Sequence, residues 1–409
     1  MVSVVAIAAL LMTACSSATS APGGTVAPPP TASAAPPAPA APTALPSPLP
    51  ATHRLGHFPG APTDPFADSV ANALQEVLDA AVEEGLPGVS ATVLVADHGA
   101  WSGAAGTADG VHPLEVDSKF AIASLTKTVI AAQVMRLADE GLLGLGDQVS
   151  DHLPADFEFD TNGATVENLL AMESGIPDPQ VTGVEADPLR VWTPREVLAT
   201  VPAHRNEPGA SFVYEDANYM LLALVIEEVT GRSVASALRS GVTSDPASTS
   251  LVYQPEERPE PPVALPFVAG LVRSEIVEAG GGYLTSKASA SEAGGSGSMA
   301  SDAEALARWG YLLFGGTLLS EESLLAMTDF SSGSDYDGYG LGVFDQTDIG
   351  AGYGVPAIGN GGWHDGGYSS VLTVLPSEGI VVSVLSNVAG DPRLLVFPVA
   401  QRLAAALER

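Results

Sequence analysis

Ser124 and Lys127 lie one helical turn apart, in a chain whose only other lysines are Lys119 and Lys287. An i, i+3 spacing on a helix places the serine hydroxyl and the lysine ammonium side by side. Partial burial is expected to lower the pKa of the lysine until it can accept the serine proton. The pair therefore predicts a serine nucleophile that is activated without a histidine.

The residues that follow Ser124 predict the helix that positions it. Apolar side chains recur at helical spacing between residues 128 and 142, and the pattern ends at a glycine-punctuated turn around Gly141. Ser124 is then expected at a helix N-terminus, where backbone N–H groups and the helix dipole favour developing negative charge. A serine three residues before a lysine also arises by chance, so the pair alone does not define an active site.

Further segments in the same order resemble the serine β-lactamases and penicillin-binding proteins, specifically the class C β-lactamase, DD-carboxypeptidase and related esterase branch. The similar segments are residues 119–128, 138–143, 147–154, 165–177, 208–231, 294–309 and 368–387. The resemblance covers about residues 68–409. Several ordered motifs at plausible separations are far more specific than one Ser-x-x-Lys pair. They imply the fold of this family and its acyl-enzyme chemistry.

The second motif of the family is usually Tyr-x-Asn, and Tyr214-Glu215-Asp216 stands in its place. The resemblance implies that Tyr214 lies near Ser124 and Lys127 as general base and acid, although a tyrosine here could equally belong to the core. Asp216 is assigned to substrate binding by the same resemblance. Unlike asparagine, an ionised carboxylate can accept from Lys127 but cannot donate to a substrate carbonyl. This difference makes efficient β-lactam hydrolysis less favoured.

The third motif, Lys-Thr-Gly or His-x-Gly, is best matched by His364-Asp365-Gly366. The resemblance implies that the His364 imidazole polarises Tyr214 or binds a substrate carboxylate. Asp365 and Gly366 would then lie against the substrate.

The oxyanion hole of this family uses two backbone N–H groups, one from the nucleophile and one from the strand of the third motif. In the His364 register these donors are Ser124 and Gly367. A second register stays open, in which residues 359–362 form the third motif and Asn360 replaces the histidine.

The remaining patterns predict an α/β fold of the α+β type. Residues 66–84 have helical periodicity, residues 89–95 alternate like a strand, and residues 368–387 give two strands before a closing helix at 396–407. By resemblance, early and late strands form one antiparallel sheet flanked by helices. An all-helical subdomain would be inserted at about residues 123–290, with the active site where the two parts meet. Residues 242–300 match least well, and loops beside the cleft are expected there.

The N-terminal residues predict export. Residues 2–12 form an apolar run too short to span a bilayer, and Cys15 follows it, as in a bacterial lipoprotein signal. Lipid attachment at Cys15 would anchor the protein to the outer face of the bacterial cell membrane. Cys15 is the only cysteine, and a structural thiol is the alternative. Residues 16–65, rich in Pro and Ala, predict an extended tether before a catalytic domain at 66–409.

Charge and motif content exclude several classes of function. A formal net charge of −32 and a pI near 4.2 argue against a nucleic-acid partner. The sequence has no H-E-x-x-H, C-x-x-C or clustered histidines, so neither a metal nor an organic cofactor is expected. The G-x-S-x-G elbow is absent, and the glycine run 280–282 lacks the lysine of a phosphate loop.

The sequence therefore predicts an extracytoplasmic serine hydrolase with an acyl-enzyme on Ser124. A D-alanyl-D-alanine carboxypeptidase-like peptidase acting on cell-wall stem peptides is favoured. The alternatives are an esterase or amidase for small acyl compounds, a β-lactamase, and a non-catalytic penicillin- or cell-wall-binding protein. The expected partners are a small-molecule or peptide substrate and, through the lipid, the membrane. The sequence does not reveal the oligomeric state, and a monomer is the working expectation.

Overall fold

The computed structural model describes residues 58, 60–330 and 338–407. The predicted lipid attachment at Cys15 and almost all of the predicted tether lie outside these residues. Within the described part of the chain, no helix is both long and apolar enough to cross a membrane.

The described residues form eleven strands and twelve α-helices. The strands are β1 (Gly88–Val95), β2 (Gly99–Gly106), β3 (Phe120–Ala121), β4 (Val252–Tyr253), β5 (Phe267–Val268), β6 (Leu271–Val272), β7 (Met299–Ser301), β8 (Phe344–Asp345), β9 (Ile358–His364), β10 (Tyr368–Leu375) and β11 (Ile380–Ser386). The helices are α1 (Asp68–Glu83), α2 (Leu125–Asp139), α3 (Val166–Leu170), α4 (Pro194–Leu198), α5 (Ala217–Thr230), α6 (Val234–Ser240), α7 (Ser274–Ala279), α8 (Lys287–Ala293), α9 (Ala303–Phe314), α10 (Glu321–Met327), α11 (Pro392–Leu395) and α12 (Phe397–Ala406).

Early and late strands join in one six-stranded sheet, as the sequence predicts. Its order is β2-β1-β11-β10-β9-β8, and each neighbouring pair is antiparallel. The first strand of the chain thus pairs with the last one, with Val93 opposite Val382. The residues between β2 and β8 therefore form an insertion between two parts of the same sheet.

Both faces of the central strands are buried, because successive side chains point to opposite faces of a sheet. Val93 and Val382 belong to a core formed with α1 and α12, whereas Leu94 and Val381 belong to the larger core that contains α2, α5 and α9. The result is a layered arrangement with the sheet between two groups of helices. The predicted antiparallel sheet flanked by helices is confirmed.

The segment between β2 and β8 is chiefly helical but is not helical throughout. It also contains a three-stranded sheet of order β3-β7-β4 and the β5–β6 pair. Short strands and turns replace helix where prolines recur in residues 255–266, because proline interrupts helical hydrogen bonding. Helix α2 lies at the centre of this segment and is buried on nearly all sides.

Candidate active site

Ser124 lies at the turn that joins β3 to α2. It directly precedes α2, and its neighbour Ala123 adopts a φ of +47°. A left-handed conformation costs a residue with a Cβ atom about 1 to 3 kcal/mol, and such strain is concentrated at functional sites. Ser124 lines a cleft of about 830 Å³. The cleft is also lined by Asp178, Ala210, Ser211, Phe212, Val213, Tyr214, Asp216, Phe344, Gln346, Ile349, Asn360, Gly361, Gly362, Trp363, Asp391, Pro392, Arg393 and Phe397.

Lys127 is completely buried beside Ser124, with three acceptors around its ammonium. Its Nζ lies 3.2 Å from Ser124 Oγ and 2.8 Å from the carbonyl oxygen of Ser296. The third acceptor is Asp216 Oδ1, at 2.6 Å. A lysine ammonium has three N–H donors and no acceptor, so all of these contacts are donated by Lys127.

The pKa of Lys127 is raised, contrary to the sequence-based expectation. Burial is the largest single influence and lowers the pKa of this lysine, but the Asp216 carboxylate and Tyr214 together outweigh it. The expectation of a lowered pKa was wrong because the ion pair with Asp216, which the sequence allowed but could not establish, is formed at 2.6 Å. Lys127 is therefore a charged hydrogen-bond donor to Ser124 in the resting protein.

Tyr214 lies next to Lys127, where the family resemblance placed it. The ammonium is 4.9 Å from the centre of the tyrosine ring. The ring stacks on Phe344 at 5.9 Å and meets Tyr339 edge-on at 6.1 Å. These aromatic contacts hold the phenol between the buried lysine and the cleft.

Asp216 is the end of a chain of charged side chains that begins at the surface. The backbone N–H of Asp216 donates to Asp178 Oδ1, and the N–H of Asp178 donates to Glu215 Oε2 at 2.7 Å. Glu215 is almost fully buried and forms an ion pair of 2.7 Å with the half-exposed Arg205. The two carboxylates thereby fix the start of α5, where Asp216 is the residue before the first turn.

Two further carboxyl groups near Asp216 have raised pKa values. Burial, followed by the charges of Asp216 and Glu215, raises the pKa of Asp178 to about 7. Burial, followed by Asp216, raises the pKa of Glu292 to about 7. The surroundings of Asp216 therefore change their charge close to neutral pH.

Strand β9 approaches the nucleophile at residues 360–362. Asn360 is buried, and its Nδ2 donates to Thr128 Oγ1 at 3.0 Å and to the carbonyl oxygen of Ser124 at 3.4 Å. A Cβ atom at Gly362 would lie 2.5 Å from the oxygen of Ile122 and 2.7 Å from the nitrogen of Ser124. Only glycine fits this approach without displacing the backbone beside the nucleophile.

His364 and Gly367 make contacts other than those expected from the third motif. His364 Nε2 lies 3.0 Å from Ser289 Oγ, and Nδ1 accepts from the N–H of Gly366 at 2.8 Å. Burial lowers the pKa of His364, which favours the neutral ring. Gly367 packs against Pro266. The strand thus meets Ser124 at Gly362 rather than at Gly367, because residues 365–367 turn back into β10.

Trp363 lies between residues 360–362, which approach Ser124, and residues 364–366, which the sequence matched to the third motif. Successive side chains of a strand point in opposite directions, so His364 shares the face of Asn360 and Gly362, whereas Trp363 points to the opposite face with Gly361. The indole is half-exposed and lines the cleft, as Gly361 and Gly362 do, whereas His364, Asp365 and Gly366 are not among the lining residues. This geometry matches the second register, with Asn360 in the position of the motif's first residue.

Sequence reasoning missed Asp178 and the ion pair between Arg205 and Glu215. No motif marks Asp178, and the distance in sequence between Arg205 and Glu215 gives no local signal. Among the described residues, no group of three or more His, Cys, Asp or Glu side chains is arranged to hold a metal ion.

Solved structures share this architecture. A D-stereospecific amidohydrolase from Streptomyces sp. is 26% identical, with a TM-score of 0.65 over 80% of this chain and 97% of that chain. A D-amino acid amidase from Ochrobactrum anthropi SV3 has a TM-score of 0.70 over 83% of this chain and 99% of that one. Its 23% identity supports likeness of fold alone.

Sequence comparison gives a local match and a family match. The chain is 36% identical over 122 residues to Protein flp of Staphylococcus aureus (strain N315), a stretch of 28% of this chain and 24% of that protein. The match thus spans about a quarter of this relative. The family model described as Beta-lactamase matches residues 69–406, nearly the whole described part of the chain. The chain belongs to the beta-lactamase family of serine hydrolases.

Proposed function

We propose that this protein cleaves an amide bond next to a D-amino acid residue through an acyl-enzyme on Ser124. A D-alanyl-D-alanine carboxypeptidase-like peptidase is one form of this activity. A D-aminoacyl amidase is the second form, supported by the 26% identity to the Streptomyces amidohydrolase. The observation that carries the proposal is the 3.2 Å contact between Ser124 Oγ and the buried Lys127 ammonium at the cleft.

The polar and charged groups around Ser124 supply the proton transfers and the charge stabilisation that acylation requires. Ser124 Oγ attacks the carbonyl carbon while its proton passes to the Tyr214 oxygen, and the phenol proton passes to the leaving amine as the C–N bond breaks. The Lys127 ammonium, 3.2 Å from Ser124 Oγ, stabilises the negative charge that develops on this oxygen as its proton leaves. Water then adds to the acyl-enzyme, and its proton returns to Ser124 through Tyr214.

The carbonyl oxygen of the substrate needs two donors during these steps. The N–H of Ser124 is one, at the start of α2 where the helix dipole favours negative charge. In the Asn360 register the strand donor is the N–H of Trp363, because the N–H of Gly361 already donates to Asn360 Oδ1 at 2.8 Å. Removing one such donor typically costs about 10² to 10³ in rate.

Intact-mass spectrometry of the catalytic domain and of Ser124→Ala tests this function. The probes are a thioester D-alanyl peptide, D-alanine amide, a fluorescent penicillin and a short-chain p-nitrophenyl ester. An adduct on the wild type that is absent from Ser124→Ala, with fastest turnover of the D-alanyl probes, is expected. Fastest turnover of the ester or the penicillin would replace the proposal with esterase or β-lactamase activity. A stable adduct without turnover would identify a binding protein.

We further propose export and anchoring through a lipid on Cys15, which rests on the apolar run and the single cysteine of the sequence. Cell fractionation of the full chain and of Cys15→Ser is the test. The wild type should sediment with the membranes and the variant should not. Equal distribution of both proteins would exclude a lipid anchor at this cysteine.

A further inference from the structure

The carboxylate of Asp216 presents an acceptor to the cleft. The side chain is 45% exposed, and the oxygen Oδ1 is held by the Lys127 ammonium at 2.6 Å. Among the described residues, the second oxygen, Oδ2, has no side-chain or backbone donor, and Asp216 lines the cleft beside Ser124. An ionised carboxylate only accepts hydrogen bonds, so a substrate group that binds there must be a donor.

The charges that face Asp216 favour a cationic donor. Lys127 offsets the charge of Asp216 itself, and Arg205 offsets Glu215 in an ion pair of 2.7 Å. Two more carboxyl groups lie near Asp216. Asp178 accepts from its backbone N–H, and Glu292 has a pKa that is raised by burial and by the charge of Asp216. Within the described part of the chain, neither of the two is ion-paired with a basic side chain. A bound cation would compensate the negative charge of these two carboxyl groups in their ionised form.

The distances suit an ammonium on the carbon next to the scissile carbonyl. Ser124 Oγ and Asp216 Oδ1 contact the same Lys127 nitrogen, at 3.2 Å and 2.6 Å, so they lie within about 6 Å of each other. The amine nitrogen of an aminoacyl group is about 2.5 Å from its carbonyl carbon. With about 3 to 3.5 Å for attack and about 2.8 Å for a charged hydrogen bond, one aminoacyl group can reach from Ser124 Oγ to the carboxylate of Asp216.

We infer that Asp216 selects aminoacyl substrates with a free α-ammonium group and disfavours N-acylated ones. The inference rests on the proposed acyl-enzyme function and narrows its substrate class to amino-acid amides and peptides cleaved after a free N-terminal residue. An N-acyl group removes the positive charge and brings a carbonyl oxygen towards a carboxylate. A hydrogen bond to a charged group is stronger than one between neutral groups, so a half-exposed Asp216 should favour the ammonium about tenfold.

Three anilides that share one leaving group test the inference. They are D-alanyl-p-nitroanilide, N-acetyl-D-alanyl-p-nitroanilide and propionyl-p-nitroanilide, which lacks the amine. The wild type should show a kcat/KM about tenfold higher for the D-alanyl compound than for either of the others. In Asp216→Asn the ratio of D-alanyl to N-acetyl should fall to about one or below. The ratio is the readout because loss of the Lys127 partner changes the rate with every substrate.

Asp391→Asn is the matched control. Asp391 lines the same cleft, but its carboxylate pairs with Arg393 rather than with Lys127, so the substrate ratio should stay as in the wild type. A wild-type ratio of one or less, or an unchanged ratio in Asp216→Asn, would overturn the inference while leaving the acyl-enzyme in place. If Asp216→Asn does not fold, the wild-type series decides alone. Failure of all three anilides and of the mass probes to acylate Ser124 would overturn both proposals.

Discussion

The two walls of the cleft differ in kind. The helical wall, from α2 and the start of α5, concentrates charge: Lys127 is paired with Asp216, and Asp178, from the loop before α4, accepts from the backbone N–H of Asp216. The sheet wall, from β9, has Asn360 and a glycine pair, and the one large side chain of β9 that lines the cleft is Trp363. The helical wall therefore governs proton transfer and charge selection, whereas the sheet wall governs how closely a substrate carbonyl approaches Ser124.

The largest expected effect comes from the helical wall. Lys127→Ala removes the donor to Ser124 Oγ and leaves the carboxylate of Asp216 without its cation, so acylation should slow by about 10³-fold or more. Stopped-flow acylation with the thioester probe measures this rate. Lys287→Ala is the matched control, because this lysine lies at the start of α8 over the ring of Tyr283. Acylation within tenfold of the wild type in Lys127→Ala would remove the functional difference between the walls.

The next effect comes from the sheet wall. In Gly362→Ala the new methyl group would lie 2.5 Å from the oxygen of Ile122 and 2.7 Å from the nitrogen of Ser124, and both of these nearest atoms are backbone. We expect kcat/KM to fall about 10²-fold, because the nucleophile and its oxyanion donor are displaced together. Steady-state hydrolysis of the best substrate measures this change. Gly146→Ala is the control, since a Cβ atom there meets nothing within 4 Å. Near-normal activity in Gly362→Ala would show that β9 does not shape the site.

The two walls were not equally predictable from sequence. Ser124 and Lys127 are local neighbours on one helix, so their spacing alone placed them together. The strands β10 and β11 and the helices α1 and α12 followed from periodicity, because their side chains are buried on a regular pattern.

The rest depends on contacts between distant parts of the chain. Asn360 meets Ser124 across 236 residues. Two glycine-containing segments only a few residues apart can be matched to the third motif, and by residue type the one with His364 is the better match. The sign of the pKa shift at Lys127 required the distance to Asp216, which sequence spacing does not supply. Position on a hairpin and the balance of buried charge are tertiary properties, and local patterns do not encode them.

A third substitution probes the charge of the helical wall by its effect on stability. The folded-state pKa of Asp178 is raised from 3.8 to about 7, so the protonated form contributes stability that is complete below about pH 4 and is lost as pH rises through 7. Asp178→Asn keeps a neutral donor and an acceptor at this place. At pH 8.5 the variant should be more stable than the wild type by about 1 kcal/mol after allowance for solvent screening. At pH 4 the difference should vanish.

Urea unfolding of both proteins at the two pH values provides the measurement. Equal stability at pH 8.5 would mean that ionisation of Asp178 does not lower the free energy of unfolding. The pKa of Asp178 would then be less raised than its burial indicates. Greater stability of the wild type at pH 8.5 would mean that the ionised carboxylate is held by its two backbone donors, the N–H groups of Asp216 and Ala217.

The smallest expected effects are those of Asn360→Ala and His364→Ala, and their comparison shows which residue of β9 acts on the nucleophile. Asn360→Ala removes the amide that donates to Thr128 and to the carbonyl of Ser124, so kcat/KM should fall about tenfold. His364→Ala removes a neutral ring whose partners are Ser289 and Gly366, and kcat/KM should stay within about threefold of the wild type. The acidic limb of the pH–rate profile should also be unchanged in His364→Ala, because burial lowers the pKa of this histidine and the ring is neutral at pH 7. A larger loss in His364→Ala than in Asn360→Ala, with a shifted acidic limb, would reverse the comparison: a titrating base would then belong to the sheet wall, and charge would no longer separate the two sides of the cleft.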